Sequence, residues 1–200
     1  MSESEDVRTR IIREAQKMFF SKGYSTVLMS EMARDLGISK KTMYRYFSSK
    51  EELLVAGIAY HRKQLDDEVE VILQDEHLLF PEKANQIYKV IGSRLISVSS
   101  AMLSDLKKNA PNALAQMLRE NVSLSYNRFN KILAEGQRQG YIREDLNYNI
   151  ACLAYIRSVE TMFEPDFITH LPPEIQEVMP TKPADIFEGL LSIIMKGILK

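Results

Sequence analysis

The sequence predicts an all-α protein: an N-terminal three-helix domain containing a helix–turn–helix, then a larger helical bundle, about nine helices in total. Three observations predict this. Apolar residues recur every three or four positions from Val7 to Ile198, and no stretch shows the strict alternation of a half-buried strand. Glycines and prolines (Gly23, Gly37, Pro81, Pro111, Gly140, and five prolines between Pro165 and Pro183) fall between these periodic runs rather than within them. Finally, Met29 to Lys50, MSEMARDLGISKKTMYRYFSSK, reads as two short helices broken at Gly37.

The elements follow in order. Residues 1–5 read as disordered, and Asp6 caps a helix that places Val7, Ile11, Ala15, Met18 and Phe19 on one face and stops at Gly23. A second helix, about Met29 to Leu36, buries Met32, Ala33 and Leu36; Gly37 makes the turn, Ile38 plugs the angle, and Ser39 caps the third helix. Ser48, three residues before Glu51, signals a capping box for a long helix reaching about Leu73. Further helices are expected at about 82–107, from Pro111 to about Gly136, from Tyr148 to Phe163, and from Ala184 to Leu199, with one short turn around Glu174 to Val178. Domain boundaries are expected at 1–52 and 53–200.

Charge is distributed unevenly. The chain carries a net charge of −1, but Val7 to Lys50 holds ten Lys or Arg against three acids, and the 150 residues after Lys50 sum to −5. A basic head on an acidic body is expected where one end meets a polyanion. On the third helix, Lys41 and Arg45 lie opposite Met43, with Lys40, Thr42, Tyr44 and Tyr46 on the flanks. That face carries the groups that reach phosphates and base edges in a DNA major groove. The competing reading is a solvated basic face on an ordinary helical hairpin, in a ligand-binding or scaffolding protein whose head meets an acidic partner.

Other classes find little support. One cysteine, Cys152, excludes an intrachain disulfide, and its apolar neighbours make it a small core residue. His61, His77 and His170 are scattered without metal-ligand spacing, so no metal or other cofactor is expected. Phosphate loops, dinucleotide turns and nucleophile elbows are absent from the sequence, which argues against an enzyme. With a charged N-terminus and no apolar run near roughly 20 residues, the chain is expected to be cytoplasmic and away from membranes.

Residues 7–54 closely resemble the N-terminal domain of TetR-type transcriptional regulators, through FFSKGY and the run EMARDLGISKKTMYRYFSSKEELL. The resemblance implies a double-stranded DNA partner with a palindromic operator, and base-proximal contacts from Lys40, Lys41 and Thr42 behind the Ser39 cap. It implies phosphate contacts from Tyr44, Tyr46 and Lys50, with Arg45 facing the same groove. One departure stands out: members often carry a helix-capping Thr where this chain has Val27 or Leu28, leaving Ser30 or Thr26 as substitutes.

Two later segments, GYIREDLNYNIACL and PADIFEGLLSIIMKGIL, resemble the family's last two long helices, which in similar proteins form a four-helix homodimer interface. Here that face is expected to include Ile186, Leu190, Ile193 and Ile194. The family usually holds a small-molecule pocket in the larger domain, and Tyr88, Met102, Tyr126, Phe129 and Tyr155 are candidates to line one for a small apolar or aromatic ligand. Aromatic and Met side chains at helical spacing are more often plain core. Met117, Met162 and Phe163 belong to the same group. The resemblance thus implies a ligand-responsive regulator, a repressor rather than an enzyme.

Overall fold

The structure is a computed structural model and describes residues 3–96, 99–145, 147–161, 170–179 and 183–199. Among these residues there are ten helices and no strand: α1 (Glu3–Lys22), α2 (Met29–Asp35), α3 (Lys40–Tyr46), α4 (Lys50–Gln74), α5 (Phe80–Ile96), α6 (Ser100–Asn109), α7 (Pro111–Arg138), α8 (Tyr148–Thr161), α9 (Pro173–Gln176) and α10 (Pro183–Ile198). A lone antiparallel bridge joins Ile142 to Leu199.

Several boundaries differ from the sequence reading. Helix α1 already includes Glu3, so Asp6 lies within it rather than capping it. The expected helix over 82–107 is two helices. Ser99 adopts an extended conformation, and its hydroxyl accepts from Met102 N at 3.1 Å, so the serine-rich stretch starts a new helix instead of continuing the old one. The cap of α4 falls one residue later than expected. Ser49 Oγ accepts from Glu52 N at 3.0 Å, while Ser48 N and Oγ both donate to Glu52 Oε2 at 2.7 Å. The short turn before α10 is the one-turn helix α9.

The chain divides into two compact units. The first comprises residues 1–64 and 98–117, the second residues 65–97 and 118–200. In the first, Ile11, Ala15, Val27, Met32, Met43, Phe47, Leu53 and Leu54 are completely buried, which locks α1–α3 to the start of α4. Burying one such aliphatic side chain contributes about 1.5–3 kcal/mol, enough in sum to hold short helices that would not persist alone. The second unit is built around Leu65, Val69, Phe80, Ile87, Ile91, Phe129, Ile132 and Tyr155, with α10 packed against α5 and α8.

Candidate nucleic-acid interface

Local chemistry shapes the turn between α2 and α3. Gly37 has φ +67°, Gly37 N donates to Arg34 O at 3.0 Å, and Ile38 N donates to Ala33 O at 2.9 Å. This pair of bonds is the Schellman arrangement, which ends a helix by satisfying its last carbonyls and calls for a residue tolerant of positive φ. Two residues later Ser39, extended at φ −72° and ψ 151°, starts α3; its Oγ accepts from Thr42 N at 3.0 Å and lies 2.8 Å from Thr42 Oγ1.

Helix α3 turns Met43 inward, completely buried, and Phe47 follows it into the core. Lys40, Lys41, Tyr44 and Arg45 are exposed, while Thr42 and Tyr46 are half-buried on the flanks. Lys40 Nζ lies 5.9 Å from the centroid of the Tyr44 ring, and Arg45 Cζ lies 5.3 Å from that of Tyr46. Cations seated over ring faces are favourably but weakly held at an exposed site. The two pairs therefore orient the basic groups while leaving them available.

Lys50 sits differently. Its Nζ donates to Ser25 O at 3.2 Å and lies 4.4 Å from the Tyr24 ring centroid. Burial pushes its pKa below the ordinary lysine value, and the charge of Asp105 opposes that shift. Nearby, Glu52 is held below the usual carboxylate range by hydrogen bonds from Ser48. On α1, Arg8 stacks over Phe47 at 5.1 Å and Arg10 Nη2 donates to Leu36 O at 3.3 Å. Asp105, Tyr24 and Arg8 were not anticipated from the sequence. Asp105 is 80 residues from its partner Ser25, a separation no local pattern encodes.

Of the five candidate pocket residues, Phe129, Tyr155 and Tyr88 share one hydrophobic cluster of the second unit. Tyr155 and Phe129 are buried and stacked, 4.9 Å between centroids, in the core of the second unit. Met102 is buried in the first unit, and Tyr126 is exposed on α7. Of the five, Tyr88 lines a groove of about 630 Å³ between α5 and α10, whose walls include Pro81, Ala84, Leu191 and Met195. Its hydroxyl donates to Met195 Sδ at 2.5 Å, and burial drives its pKa well above the ordinary tyrosine value. Met162 and Phe163 lie outside the described residues.

On α10, Ile193 is 70% exposed, Ile186 and Leu190 are half-buried, and Ile194 packs against the core of its own unit. On α8, Ile150 and Leu153 are also exposed. Among the described residues no group of His, Cys, Asp or Glu could hold a metal ion, and no helix is long and apolar enough to cross a membrane.

A tight glycine turn, a capped second helix, and a basic outer face over a buried inner face define a helix–turn–helix DNA-binding protein. Residues 11–56 match the family model described as bacterial regulatory proteins, tetR family. Along nearly its whole length the chain is similar to YvaF of Bacillus subtilis, an uncharacterized HTH-type transcriptional regulator: 24% identical over 192 residues, 94% of each chain. It is also similar to the fatty acid metabolism regulator protein of the same species, 25% identical over 143 residues, 71% of this chain and 74% of that one. The solved structure of a transcriptional regulator from Cytophaga hutchinsonii shares the fold over all of both chains, with a TM-score of 0.69 at 19% identity. Residues 11–56 are thus a tetR-type helix–turn–helix DNA-binding domain, and the rest of the chain shares the fold of solved transcriptional regulators.

Proposed function

We propose that this regulator is a repressor that binds a palindromic operator as a homodimer and leaves it when a small apolar or aromatic molecule binds. The observation that carries the DNA half is the division of α3 into a buried Met43 side and an exposed side bearing Lys40, Lys41, Tyr44 and Arg45. In this reading Lys40, Lys41 and Thr42, next to the turn, meet base edges. Tyr44, Tyr46 and Lys50 meet phosphates, and Arg45 points into the same groove. Two heads reading half-sites about 34–36 Å apart convert two modest interfaces into one tight one.

The ligand half rests on the α5–α10 groove, with an apolar floor and the Tyr88 hydroxyl spent on a thioether, a weak acceptor. A ligand oxygen there makes a better acceptor. The relative named for fatty acid metabolism makes a fatty acid the first probe to try. Ligand binding that shifts α4, continuous from Lys50 to Gln74, would change the separation of paired heads. Release requires that the ligand bind the released state better than the DNA-bound one.

Salt titration of binding to a pool of duplex DNA tests the reading. Log K should fall with log salt by roughly 0.9 for each phosphate neutralised. Lys40→Ala should relax base preference, whereas Tyr44→Phe should weaken binding to all sequences alike. A flat salt response would leave an acidic protein partner as the better explanation of the basic head.

A further inference from the structure

The Asp105 carboxylate of helix α6 is hydrogen-bonded to the turn that follows α1. Ser25 N donates to Asp105 Oδ2 at 2.8 Å, and Asn109 Nδ2 donates to Asp105 Oδ1 at 2.7 Å, fixing the carboxylate from its far side. Gly23 precedes this contact at φ +86°, and a Cβ added there would stand 3.0 Å from Asp105 Oδ2. Glycine therefore serves twice at this position, adopting the left-handed conformation and admitting the carboxylate. Successive backbone N–H groups after such a residue form a concave anion seat. Hydrogen bonds from Ser25, Asn109 and Tyr24 outweigh the opposing effect of burial and keep Asp105 below the usual carboxylate range.

The carbonyl side of the same turn is held by a cation. Lys50 Nζ donates to Ser25 O at 3.2 Å and rests against the Tyr24 ring. The Gly23–Ser25 turn is thus clamped between an anion from α6 and an ammonium from the first residue of α4. A long lysine side chain left without such a seat samples many rotamers and loses that freedom on meeting a phosphate.

We propose that Asp105 is a positioning residue for DNA binding: it fixes the Gly23–Ser25 turn and, through the Ser25 carbonyl, holds the Lys50 ammonium where it meets a phosphate. The inference rests on the phosphate role of Lys50 given above. It makes α6 a part of the reading head, although α6 lies more than 50 residues beyond the helix–turn–helix in sequence.

The test is the salt dependence of binding to pooled duplex DNA by the full chain, compared among wild type, Lys50→Ala, Asp105→Ala, Asp105→Asn and the Lys50→Ala/Asp105→Ala double variant. Lys50→Ala should lower the slope of log K against log salt by about 0.9, one phosphate. Asp105→Ala should lower it by the same amount, and the double variant by no more than either single one. Asp105→Asn should fall between, because an amide oxygen still accepts from Ser25 N. It also supplies the comparison if Asp105→Ala fails to fold in a thermal-unfolding control. An unchanged slope in the Asp105 variants, with Lys50→Ala lowering it, overturns this inference alone, as does an additive double variant. An unchanged slope in Lys50→Ala overturns the phosphate role of Lys50 and this inference together.

Discussion

At Leu28 the backbone is arranged for a helix cap that the side chain cannot supply. Its φ of −108° and ψ of 136° are those of a capping residue, no side-chain cap bond is present, and the side chain is 53% exposed. Val27, the other position the resemblance offered for the missing cap, is completely buried and belongs to the core. Neither suggested substitute fills the gap: Thr26 Oγ1 donates to Lys22 O at 2.6 Å, and Ser30 already lies inside α2. Leu28→Thr should therefore stabilise the head by about 0.5–1 kcal/mol, because it satisfies an orphan N–H and gives up little burial. Urea denaturation would check this, and an unchanged or lower midpoint would count against it. The sequence alone marked this position as anomalous. Choosing between Val27 and Leu28 required knowing which side chain faced inward.

Among the helices, the junction centred on Lys83 is one the sequence did not disclose. Lys83 on α5 is fully buried, and its ammonium donates to Leu73 O in the last turn of α4 at 2.7 Å and to Glu135 Oε1 on α7 at 2.5 Å. Glu135 also accepts from Arg138 Nε and Gln139 Nε2, both at 2.8 Å, and Gln139 Oε1 in turn accepts from Phe80 N at 2.8 Å. A lysine in a helix ordinarily reads as exposed, and its partner here is 52 residues away. Hydrogen bonds from Arg138 first, and from Lys83 and Gln139 against the opposing effect of burial, hold the Glu135 pKa at about 2 rather than 4.5.

Because the folded value lies below the unfolded one, the native state keeps this carboxylate charged where the unfolded chain would protonate it. Its stabilisation is therefore complete above about pH 4.5 and is lost as pH falls toward 2. Denaturant titrations of wild type and Glu135→Gln should differ at neutral pH and converge in acid; a constant difference would argue against the linkage. Glu135→Ala should cost about 3 kcal/mol or more, since it leaves a buried ammonium with one carbonyl partner. Lys83→Met should cost less, because Glu135 keeps Arg138 and Gln139.

At the scale of the whole molecule, the exposed apolar side chains of α8 and α10 bear on assembly. Ile193 on α10 and Ile150 and Leu153 on α8 present apolar side chains to solvent in a single chain, as a surface awaiting a partner would. Ile194, grouped with Ile193 in the sequence reading, packs into its own unit instead, because adjacent helix positions lie 100° apart. In the proposed homodimer Ile193→Arg should shift sedimentation toward the monomer and weaken operator binding by more than tenfold, through loss of bivalence. A variant that remains dimeric would move the interface elsewhere.

The all-α class, the basic head, the glycine turn and the caps at Ser39 and Gly37 were legible from sequence alone. Each depends on a neighbour within four residues or on a simple helical period. Tertiary structure decided the rest. It brought Asp105 to Ser25 and Lys83 to Glu135, divided the candidate pocket residues among core, surface and groove, and separated Ile193 from Ile194. These outcomes depend on which faces of distant helices meet, and that is set by packing across the fold rather than by any local run of residues.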